Sequence, residues 1–122
     1  MRFYIGVSKY LGFEGVWNLL EADYDTPSAR DKSYFERELG ADYIEPGDYE
    51  VYDRKHYPGE AFNSELIKTL LPAPFSHPNL DVLDFSEVRT VFFLKNSAPL
   101  RPGSRGFIVI IDVFELHDDG IA

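Results

Sequence analysis

The side chains most able to do chemistry are the three histidines, but their spacing does not indicate an active site. His56, His77 and His117 lie far apart, and no two of them have the spacing of paired metal ligands. The chain has no cysteine, which excludes thiol catalysis and disulfides. It also lacks the Gly-x-Ser-x-Gly motif of a nucleophilic serine. We therefore expect no catalytic residue, no metal and no cofactor, and a protein that is not an enzyme.

Two short stretches resemble ligand-binding motifs but lack essential residues. Asp23-Tyr24-Asp25 is similar to the start of a calcium-binding loop, whose required glycine and distal glutamate are missing here. Gly103-Ser104-Arg105-Gly106 is rich in glycine but lacks the lysine of a phosphate-binding loop. The first stretch predicts a break after a helix, and the second predicts a turn between strands.

The net charge of −9 is concentrated in one third of the chain. Residues 14–53, called the acidic span below, contain 12 acidic and 3 basic residues, a balance of 3 − 12 = −9. The remaining residues contain 9 of each sign. Such a surface repels nucleic acid, whose phosphates require cations, and favours a basic protein partner. The alternative is an acidic surface that only keeps the protein in solution.

Tyrosines alternate with carboxylates in the second part of the acidic span. Tyrosine side chains supply amphipathic contact area, and carboxylates supply charge complementarity, so this composition is typical of a protein-binding surface. An ordinary loop with half-buried tyrosines is the alternative. The residues predicted to bind a partner are Asp23, Asp25, Asp42, Tyr43, Glu45, Asp48, Tyr49 and Glu50.

The strongest strand signal lies near the C-terminus. Residues 107–115 are mostly β-branched or aromatic and do not alternate with polar residues, which is typical of a central strand covered on both faces. Residues 88–95 have a similar composition, and turn-forming residues separate the two runs. We therefore expect an antiparallel hairpin of 88–95 and 107–115 that organises the sheet.

The other elements are predicted from local patterns. Gly40 ends one helix, and Asn63 or Ser64 caps another. The expected fold is α+β: one domain, 1–122, with a mostly antiparallel sheet centred on the C-terminal hairpin and covered by two or three helices. The remaining predicted elements are an N-terminal strand at 3–7, helices at 13–20, 28–39 and 62–71, an edge strand at 49–52, and a strand or extended connection at 80–85.

The N-terminal residues have too short an apolar stretch for a signal peptide, and no run of about 20 apolar residues could span a bilayer. We expect a cytoplasmic protein without a membrane partner. The oligomeric state is not predicted.

Several short segments follow one another in a characteristic order: Phe3–Gly6, Phe13–Asp25, Pro27-Ser28, Phe35, Glu38–Gly40, Asp42-Tyr43, Asp48–Glu50, Thr90–Leu94 and Phe107–Phe114. Their order resembles the bacterial immunity proteins that protect against polymorphic toxins and contact-dependent inhibition, in particular the immunity protein twenty-two family. The similarity departs at Pro46-Gly47 and in the long loop from Pro99 to Gly106.

This resemblance implies a non-catalytic inhibitor that neutralises one cognate toxin in the cytoplasm, commonly a basic nuclease. It assigns no binding residues, because interfaces in such families diverge with their toxins. Two alternatives stay open. One is a nucleic-acid mimic that inhibits a host DNA-binding protein, and the other is a small enzyme of unknown reaction.

Overall fold

The structure, a computed structural model, describes residues 2–20, 34–41, 44, 47–70, 78–100 and 108–115. The predicted start of the second helix, the residues from 116 onward and the Gly103–Gly106 turn lie outside these ranges. The strands are β1 Arg2–Ser8, β2 Tyr49–Asp53, β3 Thr90–Asn96 and β4 Val109–Glu115. The helices are α1 Phe13–Leu20, α2 Tyr34–Glu38, α3 Ser64–Leu70 and α4 Pro78–Asp81, with single 3₁₀ turns at Gly59–Ala61 and Phe85–Glu87.

The four strands form one sheet in the order β2-β3-β1-β4. Every neighbouring pair is antiparallel, so the predicted α+β class is confirmed. β1 occupies an interior position, and six of its seven residues are buried. The N-terminal strand is therefore covered on both faces, as is its interior neighbour β3.

The predicted C-terminal hairpin is wrong. β3 and β4 both pair with β1, which lies between them, so they run parallel to each other and are not neighbours. The connection from β3 to β4 crosses past β1 rather than making a tight turn. Turn-forming residues between two apolar runs do not show that the runs pair with each other. A strand from a distant part of the chain can lie between them, as β1 does when Arg2 pairs with Asn96.

β4 lies at one edge of the sheet, although its sequence predicts a central strand. Val109 and Val113 are 52% and 53% exposed, and only Asp112 of this strand is buried. Asp112 accepts hydrogen bonds from the Leu80 backbone N–H at 3.0 Å and from the Asn79 side chain at 3.1 Å. β-branched residues therefore indicated the strand correctly but not its position in the sheet.

Several local predictions are confirmed. Gly40 follows α2 with a φ of 76°, a left-handed conformation that favours glycine and ends the helix. Asn63 precedes α3, and its side-chain oxygen accepts a hydrogen bond from the Leu66 N–H at 2.9 Å. β2 forms a short strand at the other edge of the sheet, as predicted for residues 49–52.

The prediction of a strand or extended connection at residues 80–85 is wrong. Residues from Pro78 form the short helix α4, where a proline is tolerated in the first turn. Asp84 then caps the following 3₁₀ turn by accepting a hydrogen bond from the Ser86 N–H at 3.0 Å. Proline and aspartate at these positions outweigh the strand propensity of the leucines and valine between them.

The sheet separates two hydrophobic clusters. The first lies between the sheet and the helices α1 and α2, and Phe92 and Phe35 contact edge-to-face within it at 5.3 Å. Phe92 lies opposite Gly6, and any Cβ at Gly6 would overlap its ring. The second cluster contains Ile5 and Phe93 and is covered by α3 and the turns that follow it.

Candidate functional site

The structure describes three of the eight residues predicted to bind a partner. They are Asp48, Tyr49 and Glu50, at the start of β2. Glu50 is exposed and Asp48 is half-buried. The other five lie outside the described residues: Asp23, Asp25, Asp42, Tyr43 and Glu45.

Tyr49 does not supply the exposed contact area that the sequence predicts. Its side chain is only 7% exposed and belongs to the first hydrophobic cluster. Its ring meets that of Trp17 on α1 edge-to-face, with 4.8 Å between centroids. Because side chains alternate along a strand, Glu50 points to the opposite face of β2. Tyr49 therefore anchors β2 to α1 and leaves Glu50 at the surface.

The acidic span covers one face of the sheet. Seven of the eleven buried residues in the first hydrophobic cluster come from this span, and α1 contacts both α2 and β2. We call α1, α2 and β2 the acidic layer. Its apolar side chains point inward, and half of the carboxylates described in the span are left at the surface. Of the six acidic residues described in the span, Glu14, Glu38 and Glu50 are exposed, Asp48 is half-buried, and Glu36 and Asp53 are buried.

A cleft of about 800 Å³ opens where β2 ends and α1 begins. We call it the basic cleft, because four of its side chains are basic or can become so. It is lined by Gly12, Phe13, Glu14, Gly15, Asp53, Arg54, Lys55, His56 and Arg89.

Asp53 lies at the base of this cleft, where its side chain is only 4% exposed. One carboxylate oxygen accepts a hydrogen bond from the Phe13 backbone N–H at 3.3 Å, which caps α1 from a distant part of the chain. The other accepts from the His56 backbone N–H at 3.0 Å and lies 2.5 Å from the His56 Nδ1 atom. Asp53 therefore joins β2, the turn after it and the start of α1.

The hydrogen bonds to Asp53 favour its charged form. Burial alone acts to raise the pKa of this carboxyl group. The hydrogen bonds from the His56 ring and from the His56 and Phe13 backbones outweigh that effect and hold the pKa below its ordinary value of 3.8. The cleft thus has an ionised carboxylate beneath it.

His56 is oriented by this carboxylate. With Nδ1 facing Asp53, the Nε2 atom faces away, and the side chain is 60% exposed. The ring also rests edge-on against Phe13 at 5.5 Å. A neutral His56 that donates from Nδ1 presents Nε2 as an acceptor, whereas a protonated one presents a donor to the cleft.

The Arg54 side chain lines the cleft and is held in place by several backbone oxygens. Its guanidinium group donates to the backbone oxygens of Gly59, Phe85 and Val88 and lies 5.3 Å from the centre of the Phe62 ring. Its own backbone N–H donates to the Arg89 carbonyl oxygen at 3.0 Å, which extends the pairing of β2 with β3. Strand pairing therefore places Arg54 beside Arg89, although they are far apart in sequence.

Sequence reasoning missed this cleft. The Asp53-x-x-His56 spacing was a local signal, because it lets the aspartate side chain accept a hydrogen bond from a residue in the following turn. No comparable signal linked Arg89 to this turn, because their proximity depends on the register between β2 and β3. The charge arithmetic also counted Asp53 as a surface acid, although folding buries it.

Within the described residues, no three histidine or acidic side chains come together in a way that could hold a metal ion. Among the described helices, none combines the length and the apolar character needed to cross a membrane. Comparison with known proteins gives no match to a protein family, to a characterised protein or to a solved structure.

Replacing Asp53 by asparagine is expected to lower stability in a pH-dependent way. Because the folded pKa is depressed, ionised Asp53 contributes stability above its unfolded pKa, and that contribution is lost as pH falls through the folded pKa. At pH 7 the loss should be about 1.5–3 kcal/mol, the range for hydrogen bonds to a charged group. The measurement is urea unfolding of both proteins from about pH 7 to pH 3.

The difference in unfolding free energy between wild type and Asp53→Asn should narrow as the pH falls below 3.8, first as the unfolded carboxyl group and then as the folded one becomes protonated. Glu60→Gln, at an exposed position, serves as the control and should leave stability unchanged. A gap that stays constant over the whole pH range would show that the hydrogen bonds to Asp53 do not depend on its charge.

Proposed function

We propose that this chain is a non-catalytic immunity protein, which acts in the cytoplasm by binding and neutralising a cognate toxin with a basic, nuclease-type domain. One observation supports the proposal above others. The acidic span, which holds the entire net charge, supplies most of the buried residues that cover one face of the sheet. Three carboxylates described in this span, Glu14, Glu38 and Glu50, are exposed.

The chemistry of the proposed partner follows from that surface. A nuclease must bind phosphates and therefore presents cations, which an acidic surface attracts. Such complementarity raises the rate of encounter and disfavours partners of the same charge. Nucleic acid itself is no partner in this proposal, because the acidic layer would repel its backbone.

The packing of the acidic layer also favours a preformed binding surface. Trp17 and Tyr49 hold α1 against β2, and Asp53 fixes the end of β2 to the first residue of α1. Exposed carboxylates such as Glu14 and Glu50 are therefore attached to elements that are already ordered. A preformed surface loses less conformational entropy when it binds.

The test is to mix the purified chain with the toxin domain encoded beside it. We expect a 1:1 complex by light scattering and loss of the toxin's activity at equimolar inhibitor, while the mass of the chain stays unchanged. Failure to bind or inhibit that toxin would refute the proposal. Competition with DNA for a host DNA-binding protein would instead support the nucleic-acid mimic.

A further inference from the structure

Most of the lysine and arginine side chains that the structure describes lie around the basic cleft. Of the seven lysine and arginine side chains that the structure describes, four line this cleft or the depression beside it. They are Lys9, Arg54, Lys55 and Arg89. Like charges gathered in one place repel one another, and in a chain with net charge −9 their clustering requires an explanation.

Three of these cations have no carboxylate partner within the part of the chain that the structure describes. Arg54 donates only to backbone oxygens, and Lys55 forms no ion pair. Arg89 donates from Nη1 to the Tyr10 carbonyl oxygen at 3.1 Å. By contrast, Lys9 pairs with Glu87 at 3.6 Å, and Lys68 pairs with Asp81 at 2.5 Å. With Asp53 and Glu14 included, the residues that line the cleft keep a formal charge of 3 − 2 = +1.

Arg89 has the geometry of an oxyanion ligand. Its hydrogen bond to Tyr10 uses Nη1 and leaves Nε and Nη2, the two donors on one edge of the guanidinium plane. That edge can bind two oxygens of one phosphate or carboxylate group at once. A Cβ at Gly12 would lie 3.3 Å from Nη2, 3.4 Å from Nε and 3.5 Å from Cζ, so a larger residue there would press on this part of the guanidinium group.

The remaining groups of the cleft suit an anion that carries more than one charge. Lys55 is exposed at the rim and can approach a ligand bound in the cleft. The buried Asp53 carboxylate is directed to His56 and to the Phe13 N–H. Glu14, at the rim, is the one exposed carboxylate among the lining residues and opposes binding.

We propose that the basic cleft binds a phosphate group, with the Nε and Nη2 atoms of Arg89 as its principal ligands and Lys55 as the balancing charge. The basic cleft borders the acidic layer and shares Glu14 with it, whereas Arg89 and Lys55 lie outside that layer and outside the acidic span. The phosphate site does not depend on the proposed function.

The experiment is a titration followed by ¹H–¹⁵N NMR at constant ionic strength, first with inorganic phosphate and then with a nucleoside monophosphate. We expect saturable shifts of the Arg89 Nε–H and Gly12 N–H signals. Stronger binding of the nucleoside monophosphate would identify a phosphate ester as the ligand, and equal binding would identify the free anion.

Three variants test the assignment. Lys55→Gln removes a charge, and Gly12→Ala places a methyl group against the Arg89 edge without changing any charge. Each should weaken binding about tenfold, as expected for loss of one charge-assisted hydrogen bond. Lys95→Gln removes an exposed cation at the far end of β3 and should change nothing. Shifts that never saturate, or an equal loss in Lys95→Gln, would overturn the site.

Discussion

Ile5→Ala should lower the free energy of unfolding by about 2–5 kcal/mol, the range for deleting a fully buried aliphatic side chain. The same change at Ile110 should cost less than about half as much, because part of that side chain already contacts water. Ile5 lies on the interior strand β1 and is completely buried. Ile110 lies on the edge strand β4 and is half-buried against the first hydrophobic cluster.

Urea unfolding of the two variants measures this difference, and each serves as the matched control for the other because the substitution is identical. The result distinguishes the observed strand order from the predicted hairpin. A central β4 would make Ile110→Ala at least as costly as Ile5→Ala. Equal losses would therefore contradict the placement of β1 between β3 and β4.

The features that could be predicted from the sequence depend on neighbouring residues. Gly40 ends α2 because glycine adopts a positive φ, and Asn63 caps α3 because its side chain reaches the backbone of the next turn. The apolar spacing from Phe13 to Leu20 likewise predicted α1 with its observed bounds. Each of these signals acts over a few residues.

The features that could not be predicted depend on pairing between distant residues. β4 has the composition of a central strand, but β1 pairs with both β3 and β4 and so takes the interior position. Tyr49 is of a residue type that often binds partner proteins, but its ring packs against Trp17. Arg89 becomes part of a cleft only because the register of β3 places it beside Arg54.

Neutralising four carboxylates of the acidic span should weaken binding of a basic toxin. The proposed variant combines Glu14→Gln, Asp42→Asn, Glu45→Gln and Glu50→Gln. Asp48 is left unchanged because it is half-buried, and its replacement could disturb the fold. Electrostatic steering raises association rates by about 10–10³-fold, so removing four charges should slow association about tenfold at low salt. A carboxylate at the centre of the interface would also speed dissociation and cost about 2–5 kcal/mol of affinity.

The control variant removes the same number of charges elsewhere on the protein. It replaces Glu60, Glu65, Glu87 and Glu115 by glutamine, and all four are exposed. Three of them pair with basic residues at 3.4–3.8 Å, but such surface pairs contribute only about 0–1 kcal/mol. Both variants have a formal net charge of −9 + 4 = −5. Thermal melts should show that both keep the fold before any binding is measured.

The most direct test of the proposed function is the association rate constant of the neighbouring toxin domain, measured by stopped flow from about 0.05 M to 1 M salt. For wild type and the control variant, the rate should fall steeply as salt screens the attraction. The acidic-span variant should associate slowly at low salt and depend only weakly on salt. Identical rates and salt dependence in all three proteins would contradict the account, because the acidic layer would then play no part in recognising the partner.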